Sequence, residues 1–558
     1  MDFSTEGICP QMNTDAHRWR GRPFRLIFLS VFIYVHLWTI SCSSKPTDLR
    51  TLAPAETLVY LETNDLAAAL RPIVDSKPFI EAAKTKPDFS ALKGVQLAVA
   101  VTGFETSEEK LTDEHSVGKI QPHFIAIADT HAWHFQAVGF AEKKIGGFVA
   151  KIYDSEPKLE QSDKNGGRYF TWTATDGRKA YALVIDSLIY FTNDETAIDK
   201  CLAVRRGEAD SVAKNGKVRL ADPATLASGY VSPDGVAQIA NIAALKFASD
   251  ASDESEVQSA IAGIIPQLIR GTVTDVIWAQ TKTDAGIEDK WQVGMPDDLA
   301  NVFSESFKPS GDRSDERELN QRMLAQLPRS VHTVTRYNFR DPQVALRSLV
   351  LGVGGKLDPI GQQFFKVYIS SEFEGFGIRD PEMFLSALGD GEKRSKNIVV
   401  AKLEAGSDDR VLLAVTGHDT LPIRNSFVKD MKPDWQGEDG YYGLKTDDDS
   451  LNVHFMRGPM VIASPNDIKS LSLMTAGPTQ IQEIPGRLLT SAAPISSAGR
   501  EDESGLNLIE ILAREGHGDT KVTSTYLTET RFNKSGMERK TTSDFGFIGW
   551  IIAQLNDD

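Results

Sequence analysis

The chain has 558 residues, 41% hydrophobic and 25% charged, with 43 Gly and 25 Pro, proportions that exclude collagen-like and broadly disordered chains. Its length is too great for one compact domain and predicts about two to four. Acidic residues outnumber basic ones 77 to 61, a formal net charge of −16, so general nucleic-acid binding, which needs a cationic surface against phosphate, is not expected.

Arg18, Arg20, Arg22 and Arg25 precede residues 26–40, an apolar run with no Asp, Glu, Lys or Arg. A basic stretch, an apolar stretch and small residues before a cleavage point make an export signal, here residues 1–41. Cys42, directly after Ser41, resembles the lipobox cysteine of bacterial lipoproteins. That resemblance implies cleavage before Cys42, a diacylglycerol on its thiol and an acyl group on the new amino terminus. The chain departs from the family's pattern in carrying Thr39 where Leu is usual, and in its long extension before Arg18. The alternatives are an uncut signal anchor and a plain secretory signal. The apolar run gives about 22 Å of helix, short of the ~30 Å hydrocarbon core that an anchor must cross. All three place the protein outside the cytoplasm. The expected site is the bacterial periplasm or outer membrane, with the membrane held through an N-terminal lipid or an uncut signal helix.

The cysteines are Cys9, Cys42 and Cys201. Lipobox processing removes the first and alkylates the second, leaving Cys201 without a disulfide partner on a predicted helix over 196–204. A lone helical cysteine is expected to be a small buried apolar residue.

Beyond a tether at 42–51, the sequence reads as a duplication. Pro54, a strand at 57–63 and Asn64-Asp65-Leu66 opening a helix find an echo in Pro328, a strand at 331–337 and Arg340-Asp341-Pro342 opening another. Residues 124–128 and 398–402 are both β-prone and 274 apart; 189–192 before Asp194 match 461–464 before Asn466; Gly235 matches Gly505. Residues 285–290 resemble 535–540 at a smaller offset of 250. One deletion explains the drop, with 249–270 as the extra piece. The predicted units are 52–307 and 319–558, joined by a polar, breaker-rich linker at 308–318.

Within each unit strands alternate with helices. Asp65 is a predicted N-cap for a helix at 65–73 with Leu66, Leu70 and Ile73 on one face. Residues 169–175 and 181–185 read as a hairpin around Asp176-Gly177 in a type I′ turn, and 188–192 add a third antiparallel strand. Short turns need no crossover, so the expected class is α+β: two tandem repeats, each a mainly antiparallel sheet with helices packed on one face. The opening Leu-x-Pro, Glu/Asp-Thr, strand and Asn-Asp-Leu pattern resembles bacterial envelope proteins of domain-of-unknown-function families. The resemblance implies export, frequent lipid anchoring and repeated α+β units, and it carries no catalytic residues.

The chain lacks the motifs of nucleotide binding, of an α/β-hydrolase nucleophile and of a paired-cysteine zinc site. Gly352 to Lys356 reads as a helix C-terminus and loop. The weak metal candidates are His123, Asp129, His131 and His134, gathered around the end of a predicted strand. His131 and His134 flank Trp133 where a helix should begin, a strand end and a helix start aim side chains differently, and the presumed match at 403–408 has no His. No metal or other cofactor is therefore expected. Asp447 to Asp449 and the acids around Asp253 lack the spacing of a calcium loop and read as solvated surface. Ser155-x-x-Lys158 and Ser211-x-x-Lys214 have Ser–Lys hydrolase spacing without companion motifs. Residues 545–555 are apolar but too short to span a bilayer, and read as a packed terminal helix. The expectation is a non-enzymatic envelope protein with a binding or structural role and a possible envelope protein partner. The alternative is a periplasmic hydrolase with a motif-less site.

Overall fold

The computed structural model describes residues 47–75, 89, 92–110, 116–153, 155–218, 225–251, 255–284, 286–307, 331–388, 397–405, 408–416, 421–427, 432–436, 442–445, 451–456, 460–465, 495–500, 525–543 and 546–548. The export signal, Cys42, the linker, Gly505, most of 545–555 and the acidic run 447–449 lie outside the described residues.

The strands of the first half of the chain are β1 (Val59–Thr63), β2 (Gln96–Lys110), β3 (Ser116–Asp129), β4 (Lys158–Lys164), β5 (Gly167–Thr173), β6 (Lys179–Ile185), β7 (Leu188–Thr192), β8 (Thr225–Val231), β9 (Val276–Thr283) and β10 (Gly286–Gly294). Those of the second half are β11 (Val331–Asn338), β12 (Asn397–Ala405), β13 (Asp408–Thr416), β14 (Lys432–Gln436), β15 (Tyr442–Lys445), β16 (Leu451–Met456), β17 (Met460–Pro465), β18 (Ile495–Arg500), β19 (Thr525–Asn533) and β20 (Gly536–Ser543). The helices are α1 (Leu66–Val74), α2 (His134–Phe140), α3 (Gly146–Ile152), α4 (Glu195–Arg205), α5 (Pro233–Ala251), α6 (Ser255–Thr272), α7 (Asp297–Ser306), α8 (Pro342–Gly354), α9 (Pro359–Glu374), α10 (Pro381–Ala387) and α11 (Leu421–Ser426). A π-helical turn, Ala141–Ile145, joins α2 to α3.

Helix starts follow local chemistry. Asp65 accepts from the Ala68 amide at 3.0 Å, and Asp194 from that of Thr196 at 3.0 Å, each occupying an otherwise orphaned donor. In the second half Asp341, Asp358 and Asp380 each cap a helix whose first residue is proline, a position where the missing amide costs nothing. Cys201 is fully buried on α4, and burial pushes its thiol up to about 12.

Every pairing among the described strands is antiparallel. The first half runs β4-β5-β6-β7-β3-β2-β1-β8-β9-β10. The second runs β14-β15-β16-β17-β13-β12-β11-β18-β19-β20. β10 then pairs with β20, from Ile287 opposite Ser543 to Gly294 opposite Gly536, so the ranges 52–307 and 319–558 share one α+β sheet. At its outer edge β4 is exposed throughout and carries Lys158, Glu160, Asp163 and Lys164, charges that discourage pairing with another chain.

Three details of the sequence reading change. Helices do not keep to one face: on β5–β7, Tyr169, Leu183 and Tyr190 pack with Ile198, Cys201 and Leu202 of α4. Phe170, Trp172, Ala182 and Ile189 pack with Ala137 of α2, Ala141 of the π turn and Val149 of α3. Alternate residues of a strand face opposite ways, and these strands are apolar on both. At Asp176-Gly177 only the glycine has positive φ (89°), so the turn is not type I′. The tight turn with both residues at positive φ is Asn165-Gly166 (57° and 78°) between β4 and β5, as that dipeptide favours. Residues 124–128 and 398–402 do not occupy matching places, because β3 lies between β2 and β7 whereas β12 lies between β11 and β13. The chain between β11 and β12 carries α8, α9 and α10, and the connection from β13 to β14 is shorter than that from β3 to β4. The longer connection is offset by the shorter hairpin of β12 and β13 together with the shorter connection after it, so a constant sequence offset sets β3 against β12.

The seam between β10 and β20 has its own small core. Trp278, Trp291 and Phe547 meet edge to face or tilted, with centroids 4.7–5.8 Å apart. Beneath them Asp289 accepts from Trp278 Nε1 (2.9 Å), Gln280 Nε2 (3.2 Å) and the Phe547 amide (2.9 Å). Gly546 turns at φ 64°, and a Cβ there would lie 2.1 Å from Gln280 Nε2, so a side chain would force the turn off Asp289. Next to it Glu288 binds Lys540 (2.5 Å) and Lys290 (3.3 Å).

Burial pushes the Asp289 carboxyl up to about 6, against the partial opposition of its hydrogen bonds. The folded protein therefore holds this proton more tightly than the unfolded chain, whose carboxyl titrates near 3.8. The stabilisation it brings is complete below that value and is lost as pH rises through about 6. In urea titrations the stability of the wild type relative to Asp289→Asn should fall by roughly 2–3 kcal/mol between pH 4 and pH 7. A pH-independent difference would mean that Asp289 titrates like an exposed carboxylate.

Candidate functional site

The segment that follows Cys42 is fastened to the end of β3. Thr47 Oγ1 donates to Asp129 Oδ2 at 2.5 Å, the Thr47 amide donates to Gln96 Oε1 at 2.8 Å, and Gln96 Nε2 returns a bond to the Thr47 carbonyl at 3.1 Å. Gln96 and Asp129 face each other across β2 and β3, so the hairpin register places both groups opposite one residue of the tether. Burial alone would raise the Asp129 carboxyl. The hydroxyl of Thr47, the His131 amide at 2.9 Å and Ser187 outweigh it and hold the carboxyl below its ordinary range.

A second fastening lies a few residues on. Arg50 grips Asp48 through Nε and Nη2, both at 2.8 Å, and Nη1 donates to the Val218 carbonyl at 2.6 Å. Nearby on β1, Glu62 accepts from the Tyr60 hydroxyl (2.8 Å) and Ser228 Oγ (3.3 Å), and burial pushes its carboxyl up. Each of these buried polar groups has a hydrogen-bonded partner that also ties two segments together.

Past Asp129 the chain turns a corner. His131 sits in the left-handed region (φ 50°), the Ala132 amide donates to Thr130 Oγ1 at 3.3 Å, and Thr130 Oγ1 donates to the Ser187 carbonyl at 3.0 Å. The Trp133 amide then donates to Gln136 Oε1 at 3.2 Å as α2 begins. The small residues Ala137 and Ala141 and, beyond the π turn, Val149 face the sheet. The large ones do not: Trp133 is 76% exposed and Phe135 69%.

The four candidate metal ligands separate. His123 and Asp129 lie six residues apart on one strand, a span of about 20 Å. His123 Nε2 is 3.4 Å from Glu105 and its Nδ1 3.9 Å from Asp194. Asp129 and His131 stay together, with Nδ1 3.4 Å from Oδ1, and His134 is exposed at the start of α2. Among the described residues no group of three or more His, Cys, Asp or Glu could hold a metal ion. The comparison with a His-free stretch at 403–408 also changes. In the strand order of the second half β13 stands in the place that β3 holds in the first, and the sequence after it reads Gly417-His418-Asp419, outside the described residues. Cys42, the lipidation candidate, lies outside them too.

The remaining motifs have structural explanations. Lys158 pairs with Glu160 (2.7 Å) and Lys214 with Asp210, each with a neighbouring acid rather than its motif serine. Gly352 to Gly354 end α8, and Lys356 just beyond reaches Asp298 at 2.6 Å. What sequence reasoning missed is the exposed pair Trp133 and Phe135. The available signal was that the small residues Ala137 and Ala141, not the aromatics, repeat at helical spacing.

Replacing Thr47 by Val keeps the shape of the side chain and deletes a charge-assisted hydrogen bond, and should lower stability at pH 7 by about 1.5–3 kcal/mol in urea denaturation. No change would mean that the tether is not held at Asp129. Elemental analysis of purified protein should return far less than one equivalent of zinc. A stoichiometric metal lost in His123→Ala or His134→Ala would contradict the separation of those side chains.

The chain matches no family model, no curated protein and no solved structure.

Proposed function

We propose that this is a lipid-anchored extracytoplasmic protein of the bacterial envelope, with a binding or structural role rather than a catalytic one, held to its membrane through Cys42. The observation that carries the reading is the position of Thr47. A residue five beyond Cys42 is already locked to Gln96 and Asp129, so an acylated Cys42 would keep the folded body close to the bilayer. The polar groups with displaced titration add support. Asp129, Asp289, Glu62 and Glu288 are spent on the tether, the seam and strand contacts, where each is hydrogen-bonded or ion-paired to a neighbouring segment.

The same reading includes an internal duplication of the sheet. Supporting it are the two strand orders, which follow one pattern with β1 answering to β11 and β10 to β20. The chain from β8 to β9 spans residues 232–275 and that from β18 to β19 spans 501–524. The longer connection contains α6 (Ser255–Thr272), close to the 249–270 stretch identified as the extra piece.

Fractionating cells that express Cys42→Ala should move the protein from the membrane to a soluble extracytoplasmic fraction. Unchanged membrane attachment would reject the lipid anchor and favour an uncut signal helix.

A further inference from the structure

We propose that the corner formed by Trp133 and Phe135, with the lysines of the π turn and α3 that follow it, is a membrane-docking surface that seats the folded body on the headgroup layer of the bilayer. The proposal rests on the lipid-anchor reading for its placement, and adds a second contact made by the protein itself.

Both aromatics project into solvent, although the segment that bears them is fixed by hydrogen bonds at Asp129, Thr130 and Gln136. A rigidly presented Trp beside a Phe suits the bilayer interface, where an amphipathic ring gains an apolar environment while its N–H stays hydrated. The position of the tether selects a membrane over other occupants. Thr47 is bound to the Asp129 carboxylate, and five residues of extended chain reach at most about 18 Å back to Cys42. Trp133 lies four residues from Asp129, at most about 14 Å away along the chain. Thr47, from which the chain runs back toward Cys42, and the exposed aromatics thus lie at the same end of the hairpin of β2 and β3.

Charge points the same way. The protein as a whole is strongly acidic, yet residues 131–152 contain Lys143, Lys144 and Lys151 against the single acid Glu142. All three lysines are exposed. Near an anionic leaflet such lysines are attracted to the surface over about a Debye length. No described helix is long and apolar enough to cross a membrane, so the contact is interfacial, with the side chains inserted and the backbone outside.

The test uses the chain from residue 42 onward carrying Cys42→Ala, which retains the compact unit Thr47–Asp558 and has no lipid. It should co-sediment with phosphatidylethanolamine–phosphatidylglycerol (3:1) vesicles, and less with phosphatidylcholine vesicles. Trp133→Ala with Phe135→Ala should reduce the bound fraction at least fivefold while leaving the melting temperature unchanged, since both side chains are exposed. Lys143→Glu with Lys144→Glu should weaken binding to the anionic vesicles and flatten its dependence on salt. Ile360→Ala, on an exposed face of α9, should bind as the parent does. Failure of the parent to bind, or equal binding by the aromatic double variant, would overturn the proposal. So would self-association abolished by Trp133→Ala and Phe135→Ala in sedimentation equilibrium, because the corner would then be covered by a second copy. Failure of the anchor reading is recognised separately, by Cys42→Ala cells that keep the protein in the membrane fraction whatever the vesicles show.

Discussion

The pairing of β10 with β20 is the constraint on which the rest of the fold depends. Without it each half of the chain would present an open strand edge of unpaired amides and carbonyls, a template for aggregation. With it the edges left among the described strands are β4 and β14; β4 is charged along its length, and β14 contains Pro433 with an irregular register beside it. The seam is reinforced from both sides of the sheet. Asp289 ties Trp278 and Gln280 of β9 to the Phe547 amide, and Glu288 ties Lys540 of β20 to Lys290 of β10. Near it Phe303 of α7 and Phe307 just after it pack against Phe532 of β19 and Phe339 after β11, so the two halves also share apolar contacts.

Four acids with displaced titration sit on joints between segments. Asp129 holds the tether, Glu62 lies beneath the segment carrying Arg50, and Asp289 and Glu288 serve the seam. The environments differ in sign for a physical reason. Asp129 receives several hydrogen bonds to its charged form and titrates low, whereas Asp289 is buried deeply enough that desolvation prevails over its three donors. Such groups resemble a catalytic inventory when they are judged by displaced titration alone, and geometry assigns them to holding the fold.

Much of the fold was legible in the residues. Asp65, Asp194 and Asp341 announce their helices, the antiparallel character follows from short turns, and Cys201 is as buried as a lone cysteine on an apolar helix face should be. The rest was hidden for identifiable reasons. Tyr169 next to Phe170 gives no alternation, so a strand buried on both faces looks like one buried on a single face. The extra chain around α9 and α10 is offset by the shorter hairpin of β12 and β13 and the shorter connection after it, so a constant sequence offset sets β3 against β12, which hold different places in the two strand orders. His123 and Asp129 are near in sequence, but a strand extends about 3.3 Å per residue and carries them to different surroundings. Asn165-Gly166 carries the type I′ signal as plainly as Asp176-Gly177, but the dipeptide alone does not say which of the two turns takes positive φ at both residues. The docking of Thr47 onto Gln96 and Asp129 depends on a hairpin register that no local pattern reveals.

If the sheet is one cooperative structure, the seam should be as hard to open as the strands at the middle of either half. Hydrogen exchange followed by mass spectrometry measures this directly. Amides of β10 and β20 should exchange as slowly as those of β1, through the same global opening. Exchange at β10 and β20 that is orders of magnitude faster, with β1 still protected, would show the halves parting while each stays folded, and would contradict the continuous sheet.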